Sequence, residues 1–301
     1  MTEVRTLAPN VSPCTGVCRM DAASGLCLGC ARSAEEIALW REAAPAFRAA
    51  VWADLPARFV RLGLTCRRLP WTTGDIRRFV QASLSGAAGT WVVGVVGAVA
   101  EFAAPPGAAI AVREDGADLV ATTPGGALRL RLDDHVRALR FDPPDTPPGR
   151  QRLVLAVLRE AGRLPAFAVV ADLGPDAAAI APQDRDHRLY DLGLGRKEAR
   201  FCVRVAPGPA ARALAAAVGQ PLAAALPQLG PALLAESPAR VVESALGRIE
   251  VTTPIPPPGG TSPAGPHTHL LPDHLASGRA MPAGMDLPRA YLPGAIFHPA
   301  G

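Results

Sequence analysis

Residues 12–30 read Ser12-Pro13-Cys14-Thr15-Gly16-Val17-Cys18-Arg19-Met20-Asp21-Ala22-Ala23-Ser24-Gly25-Leu26-Cys27-Leu28-Gly29-Cys30 and hold four of the chain's six cysteines. The stretch is rich in turn formers and has no apolar periodicity, so it is a loop that hydrophobic burial alone does not hold. Its spacing is C-x3-C-x8-C-x2-C. Two close pairs separated by a short turn let four thiolates converge, with Gly16, Gly25 and Gly29 relieving the backbone. Thiolates are soft ligands, so Cys14, Cys18, Cys27 and Cys30 are expected to hold a tetrahedral zinc ion (Zn2+) or an iron-sulfur cluster, and the residues alone fit both. Four cysteine ligands close the coordination sphere, which argues for structure or electron transfer and against Lewis-acid catalysis, where one position stays open. The rival is a redox pair at Cys27-Leu28-Gly29-Cys30, which needs a strand-to-helix context and leaves Cys14 and Cys18 unexplained.

How the thiols are used depends on the compartment. Residues 1–11 contain no apolar run that would serve as a secretory signal, and the longest apolar stretch, residues 91–100, is about half the length of a membrane-spanning helix. A cytoplasmic, reduced protein with no membrane partner is therefore expected, in which clustered thiols are metal ligands sooner than disulfides. Cys66 and Cys202 stand alone and read as small buried residues. With 49% apolar and 19% charged residues the chain has the balance of a globular protein, while 32 prolines and 29 glycines imply many loops and breaks. A net charge of +4 with Lys197 as the only lysine reads as GC-rich coding bias and not as a phosphate-binding surface, so nucleic acid is not the expected partner.

Directly after the cysteines, Ser33 and Glu36 form a capping-box pattern ahead of Ile37, Trp40 and Ala44, predicting a helix from about Ala34 that Pro45 ends. Phe47, Val51 and Leu55 predict a second helix, and Pro56 in a first-turn position with Phe59 and Leu62 predicts a third. Loop and helices form one module, residues 12–64, with a core of Ile37, Trp40, Phe47, Val51 and Leu55 and with metal supplying what the apolar area does not.

Beyond Pro70 the pattern turns to strands. Residues 91–102, 108–112, 118–122 and 127–132 read as an antiparallel meander with a turn at Glu114-Asp115-Gly116 and a loop over residues 142–149. Residues 199–205 and 248–252 are further strands and residues 210–218 and 221–226 are helices, whereas the apolar runs 153–158 and 166–171 fit either type. Residues 253–266 read as an extended surface segment. The fold class is thus α+β: a small metal-stapled helical module followed by an α+β domain with an antiparallel sheet, residues 71–301.

His267 and His269 alternate on this later stretch, with Asp273 and His274 close behind. Alternate histidines point to one side of an extended segment and could share a second metal. The preferred reading is that residues 261–272, too rich in proline and glycine for a regular element, dock through these imidazoles. Asp184-Arg185-Asp186-His187 and Asp133-Asp134-His135 read as solvated charged loops, each offering a general acid or base as the alternative. No nucleophile elbow, phosphate-binding glycine loop or dinucleotide fingerprint is present, and Gly94-Val95-Val96-Gly97 lies inside a strand run.

Ser12-Pro13-Cys14, Cys18, the turn from Asp21 to Gly25, Leu26-Cys27, Gly29-Cys30, Arg32, Glu36-Ile37 and Trp40 together resemble a family of short bacterial cysteine-rich domains of unknown function, described only as predicted iron-sulfur proteins. The resemblance covers about fifty residues and implies a metal centre without an activity. Tyr190-Asp191-Leu192-Gly193-Leu194-Gly195, Phe201-Cys202-Val203-Arg204, Leu246-Gly247-Arg248-Ile249-Glu250 and Gly265-Pro266-His267-Thr268-His269-Leu270-Leu271-Pro272 are similar to uncharacterised proteobacterial proteins, which implies no function. The expectation is a metal-binding cytosolic protein with a binding or regulatory role toward a protein or small-molecule partner. An electron-transfer protein, or an enzyme with its site in residues 71–301, is the alternative.

Overall fold

The structure, a computed structural model, describes residues 11–95, 98–143, 146–147, 149–195, 198–257, 260–262, 264–269 and 287–300. Helix α1 (Ala34–Leu39) starts on the expected capping box: the Glu36 amide donates to Ser33 Oγ at 3.1 Å and the Ser33 amide donates to the Glu36 carboxylate at 2.8 Å. The second and third expected helices are one, α2 (Pro45–Leu62), which begins on Pro45 and ends at Gly63 in a left-handed cap. Pro56 lies inside it. A mid-helix proline costs about 3 kcal/mol. Val51, Trp52, Leu55 and Phe59 are all buried along this helix, and each contributes about 1.5–3 kcal/mol, so the face outweighs the break.

The same face corrects the expected core of the module. Trp40, Val51 and Leu55 are buried, but Ile37 is 39% and Phe47 36% exposed, and Ala31, Trp52 and Phe59 complete the cluster in their place. Helix α1 is six residues long and fully buries none of its own side chains, so Ile37 stays at the surface of the module.

The remaining chain builds fifteen strands and three more helices. The strands are β1 (Cys66–Arg68), β2 (Gly89–Val95), β3 (Ala98–Phe102), β4 (Ala111–Asp115), β5 (Asp118–Thr123), β6 (Gly126–Arg131), β7 (Arg137–Phe141), β8 (Leu153–Leu158), β9 (Ala171–Pro175), β10 (Arg188–Asp191), β11 (Ala199–Val205), β12 (Ala239–Ser244), β13 (Gly247–Val251), β14 (His267–His269) and β15 (Tyr291–Pro299). Helix α3 (Thr73–Ser85) precedes β2, and α4 (Pro209–Ala217) and α5 (Leu222–Glu236) follow β11. In place of one antiparallel sheet there are two, of seven and eight strands, in the orders β1-β7-β8-β15-β2-β3-β14 and β4-β5-β6-β13-β12-β11-β10-β9. The meander is divided between them, β2 and β3 joining the first and β4 to β6 the second. One continuous core lies between the sheets, with Trp91, Val93, Phe102 and Leu155 meeting Leu128, Leu130, Phe201, Val203, Val242 and Ile249.

Four local points are settled or corrected. Residues 153–158 are the strand β8, whereas 166–171 reach a strand only at Ala171, where β9 begins. Helix α3 was not foreseen, although Thr72 and Asp75 form a reciprocal cap and Ile76, Val80 and Leu84 recur at helical spacing into the core. Helix α5 continues through Pro227 and Pro231 to Glu236, with Ala225 and Leu229 buried. Within residues 261–272, His267–His269 is a strand after all, because β3 offers an edge with which it pairs: His267 lies opposite Glu101 and His269 opposite Val99. No helix among the described residues is long and apolar enough to cross a membrane.

Candidate metal centre

The cysteine loop is folded by local bonds. The Asp21 amide donates to the Leu26 carbonyl at 2.8 Å and the Gly25 amide to the Asp21 carbonyl at 2.9 Å, while the Asp21 carboxylate accepts from the Ser24 amide and hydroxyl at 2.8 and 2.6 Å. Met20 bridges to Cys27 and Leu26 to Ser33. Gly25 supplies a φ of 68°, which turns the chain between the cysteine pairs. Gly29 serves differently from the expectation: a Cβ there would stand 2.6 Å from Thr15 Oγ1 and 2.7 Å from Val17 Cβ, so its bare backbone lets the two halves of the loop close.

The four thiols are free and lie as two pairs, Cys14 with Cys18 and Cys27 with Cys30. Cys27 and Cys30 are buried, Cys14 is half-buried and Cys18 exposed. The Gly16 amide donates to Cys14 Sγ and the Gly29 amide to Cys27 Sγ, both at 3.4 Å, and Arg32 Nε donates to Cys30 Sγ at 3.4 Å. The Cys14 sulfur beside it pushes the Cys18 thiol up, with burial and Cys27 adding to the effect. Burial also pushes up Cys27, but the amides of Gly29 and Cys30 and a bond from Cys30 outweigh this and hold it below its ordinary value. Cys30 stays raised by burial although Arg32 draws it back. Among the described residues no three histidine, cysteine or acidic side chains converge as a cluster able to hold a metal, so two thiol pairs and not a finished tetrahedron are what the fold presents.

The surroundings suit a thiolate-bound metal. Arg32 is 3% exposed and stacks 4.6 Å from the centre of the Trp40 ring. Thr15 Oγ1 is buried between the cysteines with no hydrogen-bond partner among the described residues, leaving a donor for a sulfur. Amide and side-chain donors to sulfur are what tune and orient a thiolate centre. Neither Arg32 nor Thr15 is marked by spacing, and only the fold shows their part. The loop is tied to the helices by Arg58, which clasps Glu36 at 2.7 and 2.9 Å and reaches the Ala31 carbonyl at 3.3 Å.

The other candidates lie apart. His267 Nδ1 donates to the Gly265 carbonyl at 2.7 Å and its Nε2 stands 3.7 Å from the buried Glu101 carboxylate. The His269 side chain, Asp273 and His274 lie outside the described residues. The loop at Asp184 is no free surface: its carboxylate accepts from the buried Arg204 at 2.7 Å, with His187 Nδ1 3.7 Å away. Asp133 accepts from the His135 amide at 2.9 Å and Asp134 from the Thr73 hydroxyl at 2.7 Å, both exposed. Cys202 is buried as expected, whereas Cys66 is only half-buried on β1; burial pushes the Cys66 thiol up to about 12.

Fold and loop together define a two-sheet α+β protein carrying a cysteine-bearing helical unit at its N-terminal side. Residues 75–301 match the family of unknown function (DUF6925), and the chain belongs to that family. Residues 12–59, spanning the cysteine loop, α1 and most of α2, match the cysteine-rich protein of unknown function (DUF1289). No curated protein and no solved structure matches the chain.

Proposed function

We propose that Cys14, Cys18, Cys27 and Cys30 bind a single closed metal centre, zinc or iron-sulfur, and that the cysteine-bearing unit acts in binding or regulation and not as a catalytic site. The observation that carries this reading is Arg32. A guanidinium taken out of water costs several kcal/mol unless charge and hydrogen bonds compensate it, and this one meets a sulfur and an indole face, with the Glu36 carboxylate acting on it only from beyond ion-pair distance and itself bonded to Arg58. Thiolates around a metal would supply negative charge in direct contact with it. Metal binding would draw the two thiol pairs together and contribute folding energy there.

Full-length protein purified without oxygen tests this by elemental analysis and visible absorption. A colourless sample with stoichiometric zinc identifies a structural ion, and a brown, oxygen-sensitive sample with iron and sulfide identifies a cluster. The exposure of Cys18, which would bring a cluster to the surface, favours electron transfer in the second case. Cys27→Ser should lose the metal and lower the melting temperature. Metal-free wild type with four thiols that all react freely would sink the proposal.

A further inference from the structure

Strand β12 sends Val242 into the core between the sheets, and by the two-residue alternation of a strand Arg240 lies on that same face. Arg240 is 6% exposed. The other buried arginines of this sheet meet carboxylates: Arg204 bonds Glu250 and Asp184 at 2.7 Å, and Arg248 bonds Glu250 at 2.6 Å together with Glu243 and Asp176. Arg240 meets none among the described residues. It donates to the Pro238 carbonyl and the Thr253 hydroxyl, both at 3.2 Å, which leaves most of its five N–H groups unused. Burial alone draws its ionisation down to about 10, so the charge has no local compensation.

This cation borders a cavity of about 560 Å3 otherwise walled largely by apolar side chains, among them Leu192, Phe201, Val203, Leu233 and Ile255, with His267 at one side. Cavities of about 300–1,000 Å3 with an apolar lining and few placed polar groups are the usual seats of small ligands. His267 spends Nδ1 on the Gly265 carbonyl and turns Nε2 toward the buried Glu101 carboxylate, so neither ring nitrogen is left to meet a ligand and any charge on the ring is matched by Glu101. We infer that this cavity binds an amphipathic monocarboxylate, its apolar body against Leu192, Phe201 and Leu233 and its carboxylate on the Arg240 guanidinium. The planar two-pronged head matches the arginine fork, and one negative charge matches one uncompensated positive charge. A doubly charged phosphate would leave one charge buried without a partner.

The site shares no wall with the cysteine loop, so its test is independent of the metal. Calorimetric titration of the full-length protein with octanoate, octanol and octyl phosphate separates head from tail. Octanoate should bind at least about tenfold more tightly than octanol, the difference expected for a charge-assisted pair, and more tightly than octyl phosphate. Arg240→Gln, with its circular dichroism unchanged, should abolish the preference for octanoate over octanol. Ile255→Trp, which narrows the cavity without touching the arginine, should weaken octanoate and octanol together. The inference is overturned by wild type that binds none of the three, by equal binding of octanoate and octanol, by tighter binding of octyl phosphate, or by an Arg240→Gln protein that keeps the preference. If Arg240→Gln does not fold, Arg240→Lys decides, because it should keep binding octanoate at a reduced preference; no change would again overturn the inference.

Discussion

Replacing Arg240 by methionine should make the protein more stable, an unusual result for a residue 94% withdrawn from solvent. Burial lowers the ionisation of Arg240 from its ordinary value to about 10. At about 1.4 kcal/mol per unit, the charged side chain therefore costs the folded state about 3 kcal/mol at neutral pH. Its bonds to the Pro238 carbonyl and the Thr253 hydroxyl return about 1 kcal/mol each. Arg240→Met, of similar length, should thus gain about 1–2 kcal/mol, read as a higher urea midpoint at unchanged slope. The pH dependence gives a second check. The folded value lies below the unfolded one, so the cost is complete below about 10 and fades as pH rises from there toward the ordinary arginine value, where the unfolded chain holds the proton that the folded chain releases. The stability gap between variant and wild type should narrow over that window. An Arg240→Met protein less stable than wild type by more than about 1 kcal/mol, at equal slope, would refute the reasoning and show the charge to be compensated.

Trp40→Ala should cost about 3–5 kcal/mol for the buried ring, with a further loss from the Arg32 stack, measured by chemical denaturation; a loss under about 1 kcal/mol would show that the ring does not hold the module. Arg248→Met should cost about 3–5 kcal/mol because Glu243, Glu250 and Asp176 are left buried without it. Burial pushes Glu243 and Glu250 up, but Arg248, with Arg200 at the first and Arg204 at the second, outweighs it and holds both below 4.5. Their stabilising contribution is complete above 4.5 and is lost as pH falls through the lower folded values, so acid unfolding should move to higher pH in Arg248→Met. Changing His267 and His269 together to glutamine should lower stability modestly and leave the metal content unchanged; loss of a metal equivalent would mark a second metal site at β14.

What could be read from the sequence was what short-range chemistry decides. The Ser33 and Glu36 cap placed the start of α1, although the helix stops at Leu39 and not at Pro45, and residues 199–205 have the span of β11, because a cap and a short stretch rich in strand formers act locally. Prolines misled where burial along a whole face outweighed a local break, at Pro56 in α2 and at Pro227 and Pro231 in α5. The second sheet was hidden because strand partners such as β6 and β13 are far apart in the chain, and periodicity says nothing about pairing. The cysteine spacing named the candidate ligands but not Arg32 or Thr15, whose positions follow from how the loop folds back on itself. Arg240 was equally silent: in Ala239-Arg240-Val241-Val242-Glu243 nothing local says which face is the interior.

The place of β15 has a consequence for how the chain is made. Residues 291–299 lie between β8 and β2, pairing with Leu153–Leu158 on one side and with residues 89–92 on the other. Until the ribosome has released them, the first sheet is two three-stranded fragments, β1-β7-β8 and β2-β3-β14, each with an open apolar edge. Such edges recruit other strands, and pairings between distant segments form slowly. A chain shortened before Tyr291, or stalled there, should therefore aggregate sooner than it unfolds, and chaperone demand during synthesis should fall once β15 has emerged.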